Sequence, residues 1–222
     1  VPPAWGALPP PAGAEDASSG WDLANDAPDV YVFFPRAAGY ARFRADFLRL
    51  TGGVPLVPLY ALGLWYSRYY AYGEDTALAT IDRFRAEGIP LDVFVADTDW
   101  RVGASCGYAV NPALFPDMAR FVRQAHARQV RVMLNDHPEP KGKSALDPEE
   151  LRFRRDGLVS LLEQGVDLWW FDRNWHTHLQ APAPGLEKEV WGMRLYRDVA
   201  RGFRPDRRPL ILSNVDGINN GR

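Results

Sequence analysis

A single cysteine, Cys106, stands in a chain of 222 residues. No internal disulfide can form and no cysteine-rich metal site is possible; a lone cysteine is otherwise a small buried hydrophobe. Histidine is scarce too. Of His126, His137, His176 and His178, the last two stand two apart with no third ligand evident, so neither a metal nor another cofactor is expected. An excess of charge is also missing: 26 Lys and Arg face 28 Asp and Glu, for a net charge of −2. The basic residues are spread along the chain, which argues against nucleic acid and anionic membrane as partners. No apolar run approaches the roughly 20 residues that span a bilayer. Val1 to Gly13 is rich in Pro and Gly and lacks a basic start, unlike a signal peptide. The expectation is a soluble chain, with nothing to assign its compartment.

What is present is apolar and aromatic. Hydrophobic residues make up 46% of the chain, enough to build a substantial core. Eight Trp, nine Tyr and eleven Phe are a heavy aromatic load, suited to stacking on sugar rings and equally to filling a core.

Pro2, Pro3 and Pro9 to Pro11 interrupt any helix in the first 29 residues. Residues 1–39 therefore resemble a linker or the tail of an upstream β-domain, with Tyr31 to Phe34 as a short aromatic strand. Tyr40 to Leu50 is expected as a helix with Phe43, Phe47 and Leu50 on one face, stopped by Gly52-Gly53. A regular alternation follows. Strands are expected at Ala61–Tyr69, Leu91–Ala96, Val130–Leu134, Val166–Phe171 and Pro209–Ser213. Helices are expected between them at Asp75–Glu87, Asp117–Gln129, Pro148–Gln164 and Glu187–Phe203. Short apolar strands separated by amphipathic helices belong to a parallel α/β sheet, either doubly wound or a (β/α)₈ TIM barrel. The barrel is favoured because nearly every strand ends in a polar cluster, and no glycine-rich turn follows Tyr69. About five strands and four helices account for 40–222, so the chain is expected to be the N-terminal part of such a barrel, a fragment inactive by itself and exposing the edge of its fifth strand.

The polar clusters carry the chemistry. Asp172 follows Leu168-Trp169-Trp170-Phe171, where desolvation and aromatic walls can tune a carboxylate; a helix cap or an ion-paired acid is the structural alternative. Asp97 and Asp99 lie two apart and would share one side of an extended strand, inviting a metal or sugar hydroxyls, or else one structural and one solvated acid. Asn135, Asp136 and His137 are substrate donors or loop-setting residues.

Five stretches then resemble glycoside hydrolase family 31 in order. Pro58-Leu-Tyr-Ala-Leu-Gly-Leu-Trp-Tyr-Ser-Arg-Tyr69 looks like its first barrel strand. Gly88-Ile-Pro-Leu-Asp-Val-Phe-Val-Ala-Asp-Thr-Asp-Trp100 is similar to its second, with an Asp-x-Asp-aromatic motif. Asn111-Pro-Ala-Leu-Phe-Pro-Asp117 matches the loop before the second helix. Leu134-Asn-Asp-His-Pro138 is similar to a third-strand motif, and Gly165-Val-Asp-Leu-Trp-Trp-Phe-Asp172 to the nucleophile strand. The resemblance runs from roughly Trp21 to Arg222.

It implies a retaining hydrolase of α-linked glucosides, an α-glucosidase-like enzyme acting through a covalent glycosyl-enzyme on Asp172. Asp97, supported by Asp99, would grip the sugar; Tyr69 and Trp170 would line the pocket; Arg68, His137 and Arg173 would orient groups or contact substrate. The partner implied is an oligosaccharide or α-glucoside. The family's acid/base is an aspartate beyond the fifth strand, with no match in this chain; Asp216 follows Ser213-Asn214 too closely. An α-glucosyl or isomaltosyl transferase, a non-catalytic carbohydrate-binding relative and a metal-dependent barrel enzyme using Asp97, Asp99 and His137 are the alternatives. Two departures stand out: Arg173 after the nucleophile strand, and Asp136 where the third-strand motif more usually has an apolar residue.

Overall fold

The computed structural model describes residues 32–35, 39–53, 56–103, 107–137, 148–172 and 188–213. It divides into two compact units, Val1–Gly53 and Val54–Arg222. In the first, α1 spans Tyr40–Thr51 and stops at Gly52, whose φ of 82° suits a residue without a Cβ. Val32 to Phe34 forms no strand, contrary to expectation, and Tyr31 lies outside the described residues. The aromatic run supplies a side-chain contact instead: Phe33 packs edge-on against Phe43 and Phe47 of α1, at 5.4 and 6.0 Å between ring centroids.

Among its described residues the second unit holds five strands in consecutive order, every neighbouring pair parallel. They are β1 (Trp65–Ser67), β2 (Val93–Ala96), β3 (Arg131–Asp136), β4 (Leu168–Phe171) and β5 (Ile211–Ser213). Between them run α2 (Glu74–Ala86), α3 (Met118–Ala127), α4 (Pro148–Glu163) and α5 (Lys188–Phe203). The expected alternation is therefore present.

The first strand is shorter than expected. Leu59–Leu62 forms a 3₁₀ turn and pairing begins only at Trp65. Gly63 accounts for the break: a Cβ there would come within 2.0 Å of the Asp92 carboxylate, which accepts from the Leu64 N–H at 3.0 Å. The chain thus turns on Asp92 before it can extend.

Alternation along the strands divides the apolar side chains into two sets. Tyr66, Phe94, Ala96, Val132, Leu134, Trp169, Phe171 and Ile211 pack with Ala77, Ile81, Phe121, Val122, Leu158, Leu161 and Tyr196 from the helices. Trp65, Val93, Val95, Met133, Leu168, Trp170 and Leu210 form a second cluster with Tyr60 of the 3₁₀ turn, and it includes no residue of α2 to α5. A doubly wound sheet carries helices on both faces and reverses its strand order. Consecutive order with helices on one face is the pattern of a barrel, whose bare face is the interior. The described chain is a five-stranded section of that architecture.

Helix ends follow from local chemistry. Asp117 caps α3 by accepting from the Arg120 N–H at 2.8 Å. Met118, Phe121, Val122 and Ala125, spaced three and four apart, put one face of α3 against the sheet. Gly165 ends the α4 turn at φ 102°, where a Cβ would also press on Val122 at 3.0 Å. Phe94 lies centrally among these contacts, fully buried and touching the rings of Tyr66, Tyr72 and Phe121. Phe94→Ala is expected to cost about 3–5 kcal/mol of stability, read from urea unfolding. A loss under ~1 kcal/mol would place Phe94 outside the main core.

Candidate active site

Residues 93, 95 and 97 share one side of β2 and its exit; 133, 135 and 137 do so on β3, and 168, 170 and 172 on β4. The bare face of the sheet therefore ends in Asp97, Asn135, His137 and Asp172 at the carboxyl ends of three adjacent strands. Asn135 stands opposite Trp170 in the β3–β4 register.

Asn135 is the centre of this group. It is 2% exposed, and its Nδ2 donates to Asp97 Oδ1 at 2.9 Å and to Asp172 Oδ2 at 3.2 Å. An amide nitrogen carries two hydrogens, so one group satisfies a carboxylate on either side. Its Oδ1 is buried without a hydrogen-bond partner among the described residues, an acceptor suited to a hydroxyl. His137 Nε2 stands 3.2 Å from the same Asp172 Oδ2. The backbone closes the arrangement, with the Asp172 N–H donating to the Asp136 carbonyl at 3.0 Å.

Asp97 shows the electrostatic cost of the grouping. Burial pushes its carboxyl above the ordinary carboxylate range, and the charge of Asp172 adds to the rise. The Thr98 N–H at 2.7 Å, the Asn135 amide and His137 oppose it.

The other expected residues divide. Trp170 is half-buried on the bare face, packed with the inner cluster. Asp99 does not share a strand side with Asp97, because the chain leaves β2 at Ala96 and Thr98–Trp100 winds into a 3₁₀ turn capped by Asp97. Tyr69 is 83% exposed, and Arg68 lies over the Tyr70 ring at 4.7 Å, so neither joins the cluster. Arg173 lies outside the described residues, as do Cys106, His176, His178 and Asp216. Among the described residues no group of three or more His, Cys, Asp or Glu could hold a metal ion.

Sequence reasoning missed the weight of Asn135 and the part of Trp100 and Arg101. The period of two from Met133 through Asn135 to His137 was the available signal. Trp100, fully buried, donates its indole N–H to the Asn135 carbonyl at 2.7 Å. Asp136, the departure from the third-strand pattern, has outward parity, toward the helices. It is buried against the Arg101 guanidinium and accepts from the Tyr196 hydroxyl.

Comparison with known proteins agrees with the barrel fold. Residues 54–150 match the glycosyl hydrolases family 31 TIM-barrel domain. Over that stretch, a little under half of its length, the chain is similar to glycoside hydrolase family 31. Alpha-xylosidase XylQ of Lactiplantibacillus pentosus is 31% identical over 129 residues, covering 57% of this chain and 16% of the relative. The chain thus spans about a sixth of that protein's length. Among solved structures, a family 31 alpha-glucosidase from Bacteroides thetaiotaomicron superposes with a TM-score of 0.61 at 23% identity, over 80% of this chain and 37% of its own. A family 31 dextranase from Flavobacterium johnsoniae, solved with isomaltotriose, gives 0.66 at 16% identity, over 79% and 28%. Both likenesses are of fold. Among the described residues no helix is long and apolar enough to cross a membrane.

A pH dependence follows from Asp97. A carboxyl whose folded pKa lies above its unfolded value binds its proton more tightly in the fold, so stability falls as pH rises between the two values. Asp97→Asn removes the charge and keeps an acceptor for Thr98. It is expected to raise the Tm by a few degrees near pH 7, with the gain fading below about pH 4. Thermal melts at the two pH values check this, and an equal shift at both would contradict it.

Proposed function

We propose that this chain forms part of a retaining α-glycosidase in which Asp172 is the nucleophile. The observation supporting the reading is the setting of its carboxylate. It stands at a strand end on the bare sheet face, with one oxygen held by both Asn135 and His137. Two donors on one oxygen fix the carboxylate's orientation, as a nucleophile that must meet one carbon in line requires.

In the proposed reaction an Asp172 oxygen forms a bond to the anomeric carbon of the −1 sugar. The bond from that carbon to the leaving oxygen breaks, its electron pair goes to the leaving oxygen, and that oxygen takes a proton from a second carboxylic acid. Water then attacks the glycosyl-enzyme, gives a proton back to that second group, and releases a sugar of retained configuration. The resemblance puts the second acid beyond β5. Asp97, with its raised carboxyl, and the free acceptor of Asn135 would engage hydroxyls of the same sugar. Trp170 would offer an apolar wall beside it.

The substrate proposed is an α-linked glucoside. An α-linked xyloside is a second reading, favoured by the likeness to XylQ. Hydrolysis of 4-nitrophenyl α-glucoside and α-xyloside by the longer protein carrying this chain separates the two. In either case Asp172→Asn is expected to lower turnover by roughly 10⁴-fold or more while leaving sugar binding measurable. An unchanged rate would remove Asp172 from the chemistry.

A further inference from the structure

Asp136 carries a charge on the side of β3 that packs against helices, where its strand neighbours Val132 and Leu134 are apolar and fully buried. An isolated carboxylate there would be strongly unfavourable. Each of its oxygens has a separate partner: Oδ1 meets the Arg101 guanidinium and Oδ2 the Tyr196 hydroxyl. Arg101 is 2% exposed and Tyr196 fully buried. Tyr196 in turn meets the Tyr108 hydroxyl at 3.2 Å, and burial pushes both phenols upward, so they remain neutral donors.

The cluster grips the point from which Asp172 is held. Trp100 and Arg101, consecutive on the exit of β2, bind Asn135 and Asp136, consecutive on the exit of β3. The Asp136 carbonyl takes the Asp172 N–H, and its two sequence neighbours, Asn135 and His137, take the Asp172 carboxylate. Rotation of the backbone at 136 would therefore displace all three contacts to Asp172 together.

We propose that Arg101, Asp136 and Tyr196 are positioning residues that orient the exit of β3, and through it the Asp172 carboxylate. This rests on the reading of Asp172 as nucleophile. Stability alone is a poor reason for the cluster, because buried ion pairs are often replaced by well-packed apolar residues at no loss. What the pair supplies and apolar residues do not is direction. Each oxygen of Asp136 fixes one bearing, toward β2's exit and toward α5, and two bearings set the rotation of the chain at that residue.

The test uses the longer protein carrying this chain, with Arg101→Leu and Asp136→Leu combined so that no charge is left buried alone. Tyr196→Phe, which keeps the ring and removes one hydrogen bond, is the second variant. Each is followed by thermal melting, by kcat and KM separately, and by the rate at which 5-fluoro-α-glucosyl fluoride or its xylosyl counterpart labels Asp172. The double variant is expected to melt within a few degrees of the parent and to keep KM. Its kcat and labelling rate should fall together by about 10- to 100-fold. Tyr196→Phe should show the same split, several-fold in size. Parental labelling rates in a double variant that melts normally would overturn the inference and leave Asp172 as nucleophile. If the double variant does not fold, an unchanged labelling rate in Tyr196→Phe overturns it equally. A parent protein that turns over substrate but is labelled at some residue other than Asp172 removes the nucleophile reading, and this inference with it.

Discussion

Side chains alternate between the two faces of a strand, and among the described residues of the second unit α2 to α5 cover one face of this sheet. That constraint assigns five polar residues at the exits of β2, β3 and β4. Asp97, Asn135, His137 and Asp172 fall on the bare face; Asp136 falls under the helices. A slip of one residue in β3 would exchange the sets, placing Asp136 between Asp97 and Asp172 and burying an amide and an imidazole against α5. Val132 and Leu134, fully buried among helix side chains, hold the register from below. Arg101 holds it from the end, since only a carboxylate in outward parity can reach it.

Once two carboxylates share the bare face, their repulsion governs what can stand between them. A lysine or arginine would attract both, yet under the proposed reading of Asp172 as nucleophile a cation bound to it would compete with the anomeric carbon for its charge. The Asn135 amide offers two donors and no net charge, so it orders both groups without neutralising either. Asp97, the more confined acid, has its carboxyl pushed upward chiefly by burial, and the charge of Asp172 adds a smaller part. Its role is accordingly compatible with hydrogen bonding to hydroxyls, which accept or donate as required.

The fold was largely legible in the sequence because short apolar strands and amphipathic helices alternate with little interruption. Errors arose where a local contact overrode a pattern. Tyr31 to Phe34 has strand composition, but Phe33 is used against α1. Ala61 to Tyr69 reads as one strand, but Gly63 and Asp92, 29 apart in number, bend the chain at its start. Asp97 and Asp99 have strand spacing, but the turn begins between them. The place of Asp172 at the end of an apolar strand was legible; its support by Asn135 required the strand parities of two separate elements. Asp136 had no account in the sequence because its partners lie 35 and 60 residues away.

The 3₁₀ turn after β2 explains how so few residues can order three strand exits. With three residues per turn, it keeps residues 97, 100 and 101 close to the neighbouring strand, where a continued strand would carry them away from it. Asp97 reaches the Asn135 side chain, Trp100 the Asn135 carbonyl and Arg101 the Asp136 carboxylate. Two consecutive residues of β3 are thereby fixed on both sides of one peptide, which leaves that peptide little freedom to rotate. β3's exit then does for β4 what β2's exit does for it, through the Asp136 carbonyl and the Asn135 and His137 side chains. Support passes from strand to strand in sequence order, so the contacts of Asp172 are linked to a turn two strands earlier.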